Sequence, residues 1–228
     1  MALSVPLFIF AATICRIFED PDWNLVDSHL KIFTHQKHES KLDGRYVPVL
    51  DRLLDRQTEK KKKELVQEFH QVVGAIVMLE SSLSVTSLSK LICFPERLIH
   101  LRLNPLHLVL SVPNDKALPV QLFHLSFRDF LLDPATCEKT PLWVDKKEPH
   151  YRLATQCLHV CQNLKKNLCG LRSDGTKRVE IDQQTINERL PPELQYACRY
   201  WAHHLVQSKD QHTVMHKALL FLQVHCLH

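Results

Sequence analysis

Apolar residues along this chain recur mainly at three- and four-residue spacings, the pattern of helices that bury one face. Leu65, Phe69, Val72, Val73 and Ile76 form the strongest stripe, and Gly74 within it permits close packing. Upstream, the stretch from Leu42 to Leu54 carries Tyr46, Val49, Leu50, Leu53 and Leu54, an amphipathic helix with Pro48 expected near its start. The charged run Arg52–Lys63 reads as an exposed connection or a helix extension. Ser84 to Leu91 predicts a short helix with Val85, Leu88 and Leu91 inward. Pro95 then opens a third, PERLIHLRL, with Leu98, Ile99 and Leu103 facing the core.

Between Leu106 and Asp133 the period changes. HLVLSV predicts a strand, and Pro113, Asn114 and Asp115 supply a turn. A second strand then alternates Val120, Leu122 and His124 against Gln121, Phe123 and Leu125. Ser126, three residues before Asp129, is placed to cap a helix Phe127–Leu132 that Pro134 closes. His124 is thereby held at a strand-to-helix corner, where a candidate chemical residue and a defined backbone coincide. Three short helices followed by a two-stranded wing is the winged-helix order. The fold class expected is mainly α: a winged-helix domain of three helices plus a β-hairpin wing, followed by an all-helical domain.

Beyond Pro134 the pattern is helical again. Trp143–His150 reads as a polar link. Tyr151 to Leu168 carries Leu153, Cys157, Cys161, Leu164 and Leu168 on one stripe. Residues 169–180 read as loop, and Ile181 to Leu190 as a short helix ended by Pro191 and Pro192. Glu193 to Gln207 is expected to bury Leu194, Ala197, Cys198, Trp201 and Leu205. Val214 to Leu227 is expected to bury Val214, Ala218, Phe221, Leu222 and Cys226, and it reaches the C-terminus without a stop signal. The first residues, MALSVPLFIFAATIC, form an apolar run that lacks a positive charge before Arg16, which argues against a secretory signal. It is too short to span a bilayer, and Pro6 would sit near the first turn of a buried helix.

Composition narrows the chemistry. Four glycines in 228 residues leave no glycine-rich phosphate loop, and no G-x-x-x-x-G-K-[ST] occurs. The eight cysteines are spread without a CxxC pair, so Cys157 and Cys161 read as small core residues of a reduced chain rather than metal ligands. No H-E-x-x-H and no G-x-S-x-G is present, and no catalytic or metal-ligating residue is assigned. His203 and His204 are adjacent on a helix, so one ring must face outward. Net charge is +4, and the third helix offers only Arg97, Arg102 and His100, which argues against a nucleic-acid role.

Four runs carry a resemblance: LFIFAATICRIF, LVQEFHQVVGAIVMLESSLSVTSLSKL, LHLVLSVP with PVQLFHLSFRDFLL, and LPPELQYACRYWAHHL. They resemble the large fungal NACHT-type signal-transduction NTPases (NLR-like proteins of the STAND class), in the region after the nucleotide-binding core. The resemblance implies three parts: residues 1–62 as a remnant of the lid, 63–135 as the winged helix, and 136–228 as a helical domain ahead of a repeat sensor. It implies a cytoplasmic, non-membrane protein in which nucleotide state is coupled to oligomerisation, within non-self recognition and programmed cell death. By the same resemblance His124 would touch the phosphate end of bound ADP, Phe127 and Phe130 would seat the next helix, and Pro6 would lie near the adenine. The family's phosphate loop, magnesium-binding strand and sensor arginine would precede residue 1. The chain alone is therefore expected to be non-catalytic and to hold no cofactor, with ADP or ATP implied only for full-length relatives. Other protein domains, or self-association, are the expected partners. A small helical scaffold and a winged-helix nucleic-acid binder are the alternatives.

Overall fold

The computed structural model describes residues 15–16, 42–55, 57–171, 173, 175–209 and 211–225. Pro6, the N-terminal helix expected around it and Cys226 lie outside the described residues. The remainder is mostly helical, with one short antiparallel strand pair. In chain order the elements are α1 (Asp43–Leu54), α2 (Glu59–Met78), α3 (Val85–Ile92), α4 (Glu96–Leu103), β1 (Leu110–Ser111), β2 (Gln121–Leu122), α5 (Leu125–Leu132), α6 (Lys147–Cys161), α7 (Gln183–Arg189), α8 (Pro192–Gln207) and α9 (Gln211–His225). No helix among the described residues is long and apolar enough to cross a membrane.

The chain divides into two compact units. The first takes residues up to Val73, His100–Asn114 and Val120–Val144. Its core gathers Tyr46, Val49 and Leu50 of α1, Phe69, Val72 and Val73 of α2, and Phe127, Phe130 and Leu131 of α5, all buried. β1 pairs with β2 in the register Leu110 to Leu122 and Ser111 to Gln121. The Asp115 carboxylate accepts the Ala117 N–H at 2.9 Å and helps close the turn between them. After α5, the Val144 N–H bonds to the Leu131 carbonyl at 2.9 Å, tying the 134–144 segment back onto the helix. Buried Asp43 is neutralised by an ion pair with Lys139.

The second unit takes Gly74–Ile99, 115–119 and residues from Asp145 onward. α8 lies along α6, α3 packs on both, and α9 packs on α6 and α8. Val85, Leu88 and Leu91 face inward as the period requires. Ser84 caps α3 by accepting the Ser87 N–H at 3.2 Å, and Cys93 ends it in the left-handed region at φ 51°. Pro192 takes the first position of α8, where its missing N–H costs nothing. Ala154, Leu158, Leu205, Val214 and Ala218 form an apolar cluster with Tyr151, Trp201 and Phe221 against it.

Several local expectations change. Pro48 lies inside α1 rather than in its first turn. Lacking an N–H, it leaves the carbonyl one turn back without its usual partner. The strand expected from HLVLSV shortens to Leu110–Ser111, because Asn104–Leu106 winds into a 3-10 turn. The helix expected to reach Leu168 stops at Cys161. There the Asn163 amide donates to the Val160 carbonyl at 3.0 Å, and Asn167 enters the left-handed region at φ 53°. Trp143–His150 is less polar in context than in composition, since Val144 and His150 are buried. Among the described residues of α9, Val214 and Ala218 are the buried ones; Phe221 is half-buried and Leu222 exposed.

Candidate functional site

His124 sits where the sequence pattern put it, between β2 and α5, but its local role differs from the one expected. α5 begins at Leu125, so His124 is the N-cap, and Ser126 is already two residues into the helix. The His124 backbone is extended, with φ −151° and ψ 141°, and its Nδ1 accepts the Ser126 N–H at 2.9 Å. An imidazole nitrogen thus performs the task usually given to a Ser or Asp oxygen, satisfying a backbone N–H that the first turn leaves unpaired. The Ser126–Asp129 capping box does not form, because the helix starts too early for Ser126 to be its cap.

Ser126 instead extends the network inward. Its Oγ stands 2.8 Å from His124 Nδ1 and 2.7 Å from the Tyr46 hydroxyl. The Tyr46 ring meets Phe127 edge-on at 5.2 Å and Phe130 at 5.3 Å between centroids. Phe127 and Phe130 are therefore packing residues that seat α5 against α1. With Nδ1 accepting from the backbone, a neutral His124 ring carries its proton on Nε2. Nε2 has no partner among the described residues, and the ring is half-buried. The corner therefore offers a single N–H donor on a rotationally fixed ring. It can donate a hydrogen bond to an anion.

A second polar constellation lies in the other unit, along the seam between α6 and α8. Here His150, early in α6, meets His204, late in α8: their Nδ1 atoms are 2.8 Å apart. Nε2 of His204 is 2.7 Å from the Tyr196 hydroxyl, and that hydroxyl also accepts the Glu80 N–H at 3.2 Å. His203 turns outward, with Nε2 at 3.1 Å from Glu80 Oε1. The outward-facing partner in the His203–His204 pair is thus His203, while His204 is fully buried. Burial, then the neighbouring His150 and His203 rings, push His204 down to about 3, so it is neutral at ordinary pH. Burial pushes the Tyr196 hydroxyl up, so it stays protonated.

One ring nitrogen from each of His150, His203 and His204 lies within 4.8 Å of the others. The sequence showed no metal pattern because these rings come from two helices, 54 positions apart at one pairing. Only the knowledge that α6 and α8 run antiparallel, start against end, brings them together. At the other end of the same seam Cys161 Sγ approaches Cys198 Sγ at 3.9 Å. Cys157 and Cys161 are buried, as their stripe implies, and burial pushes the Cys157 thiol up to about 12. Cys198 is exposed rather than buried; the Cys161 thiol donates to its sulfur and holds it below the ordinary thiol range, at about 7. Pro6 lies outside the described residues and joins neither constellation. No protein-family model matches the chain, and neither a curated protein nor a solved structure does.

Proposed function

We propose that this chain is the regulatory, non-catalytic region of a NACHT-type signalling protein. In this reading a winged-helix part senses the nucleotide through His124, and a helical part couples that state to oligomerisation. The observation that carries it is the fixed tautomer of His124: with Nδ1 committed to the Ser126 N–H, the neutral ring presents Nε2–H, the donor a phosphate oxygen requires. The order of α2, α3 and α4 followed by β1, β2 and α5 supports the winged-helix assignment. So do the sequence runs FHLSFRD and PPELQYACRYW, through their resemblance to that family.

The test is a chimera in which this chain follows a NACHT-type nucleotide-binding core. A hydrogen bond to a charged group contributes about 1.5–3 kcal/mol, so His124→Ala should speed ADP release roughly 10- to 100-fold. Unchanged release would remove the basis of the reading. The isolated chain should show no heat of ADP binding by calorimetry; micromolar binding abolished by His124→Ala would overturn the claim that it needs a separate core.

A second reading, a helical scaffold for protein partners or self-association, is favoured by the outer face of α9. Met215 and Leu219 are exposed there, and the exposed Leu220 and Val224 line an adjoining groove against α6. Light scattering that shows a concentration-independent monomer would count against it. The nucleic-acid reading is weakened at α4, where Ile99 and Leu103 are buried and Arg102 is paired with Glu68.

A further inference from the structure

Two of the three imidazoles on the α6–α8 seam have their Nε2 side occupied by a fixed polar partner. His204 Nε2 faces the Tyr196 hydroxyl at 2.7 Å, and His203 Nε2 faces the Glu80 carboxylate at 3.1 Å. An outer partner on one ring nitrogen sets the tautomer and leaves the other nitrogen's lone pair for an ion. Nδ1 of His204 points at Nδ1 of His150, and the three rings offer nitrogens within 4.8 Å of one another. The arrangement also has a way in: His204 is buried, His150 nearly so, and the His203 side chain is 41% exposed.

We propose that His150, His203 and His204 form a three-imidazole site for a zinc-class divalent ion, with Glu80 and Tyr196 as the outer partners that orient His203 and His204. Three neutral imidazoles with a fourth position open to solvent suit zinc, and the absence of thiolate in the set argues against softer ions. A tetrahedral ion with nitrogens at about 2.05 Å holds them about 3.3 Å apart, so the His150–His204 pair opens by about 0.5 Å on loading. No proton need leave the protein. In the metal-free form His204 Nδ1–H donates to His150 Nδ1, and on loading the His204 proton sits on Nε2 against the Tyr196 oxygen. The ion then clamps the start of α6 to the end of α8 and closes the second unit's polar seam.

The test uses the full chain stripped with a chelator and titrated with cobalt(II), then zinc. One equivalent of cobalt should give the visible absorption of a four-coordinate nitrogen site, and zinc should bleach it. Zinc at about a hundredfold excess over its dissociation constant should raise Tm by about 5–10 °C. His203→Ala removes an exposed ligand without opening the buried network, so its circular dichroism should be unchanged while zinc affinity falls by at least roughly 100-fold. Glu80→Gln should lower affinity about tenfold through the outer partner. His212→Ala, on the exposed side of α9, should change nothing and controls for adventitious binding by the chain's 15 histidines. Absence of the cobalt absorption, or affinity that His203→Ala leaves unchanged, would overturn the site and leave the seam a metal-free hydrogen-bond network.

Discussion

The corner at His124 and the seam between α6 and α8 both place imidazoles in polar networks that end on a tyrosine, yet they are built from different kinds of information. At the corner, the direct ring-to-backbone contact spans two residues, and the ring serves the helix that begins beside it. Along the seam, His150 and His204 are 54 positions apart, and their contact exists only because two helices pair antiparallel. The corner ring is half-buried with one nitrogen still uncommitted, whereas His204 is fully buried with both nitrogens engaged. A local cap can be lost while water replaces it, but a buried network cannot be cut at one point without stranding the other groups.

The largest expected effect follows from that difference. His204→Ala in metal-free protein should cost about 3–5 kcal/mol in urea unfolding, because it leaves a cavity and removes one hydrogen-bond partner each from Tyr196 Oη and His150 Nδ1. A cost below about 1 kcal/mol, the scale of an ordinary hydrogen bond, would mean the seam is wet and the contrast with the corner is false. Next is Tyr196→Phe, which keeps the ring and removes only the hydroxyl shared by His204 and Glu80. Its expected cost is about 2 kcal/mol, and in a double-mutant cycle with His204→Ala the two losses should be strongly non-additive. Additive losses would show that the hydroxyl and the imidazole act separately.

How much could be read from sequence divides along the same line. Periodicity identified the inward face of α3 and part of that of α8: Val85, Leu88, Leu91, Leu194, Ala197 and Leu205 follow the helical repeat and are buried, whereas Cys198 is exposed and Trp201 is half-buried. The turn at Pro113–Asp115 and the break at Pro191 and Pro192 between α7 and α8 were also legible, because turn chemistry is local. Helix ends were not: the Leu164 and Leu168 positions continue the stripe of α6, but Asn163 turns the backbone after Cys161. Nor was the choice of cap, where His124 and Ser126 compete within one turn and the earlier residue wins. Residues that need two helices to meet, such as His150 with His204, have no local signature. A stripe says which face is buried and nothing about which helix covers it.

The corner itself yields a smaller effect. His124→Ala removes the cap acceptor and should cost about 1 kcal/mol, while His124→Asn or His124→Asp, both good N-caps, should recover most of it. Recovery by Asn without recovery of ADP retention in the chimera would separate the capping role from the proposed anion contact. A loss as large as that of His204→Ala would instead mean that the Ser126–Tyr46 network is as tightly coupled as the seam.

The smallest effect on stability, and the most specific chemically, is at the thiol end of the seam. Cys198 is exposed and takes a hydrogen bond from the buried Cys161 thiol, which favours its thiolate. The thiolate is the nucleophile, so Cys198 alkylation should rise with pH through a midpoint of about 7, where an unassisted thiol is still mostly protonated. Cys161→Ala removes the donor; the midpoint should then move up toward the ordinary thiol value, with the folded state retained because a small side chain replaces another. Mass spectrometry of iodoacetamide-labelled peptides reads the midpoint for Cys198 alone. A profile unmoved by Cys161→Ala would show that the two sulfurs are neighbours without a hydrogen bond. The seam would then be coupled only at its histidine end, and its resemblance to a continuous polar network would stop at Tyr196.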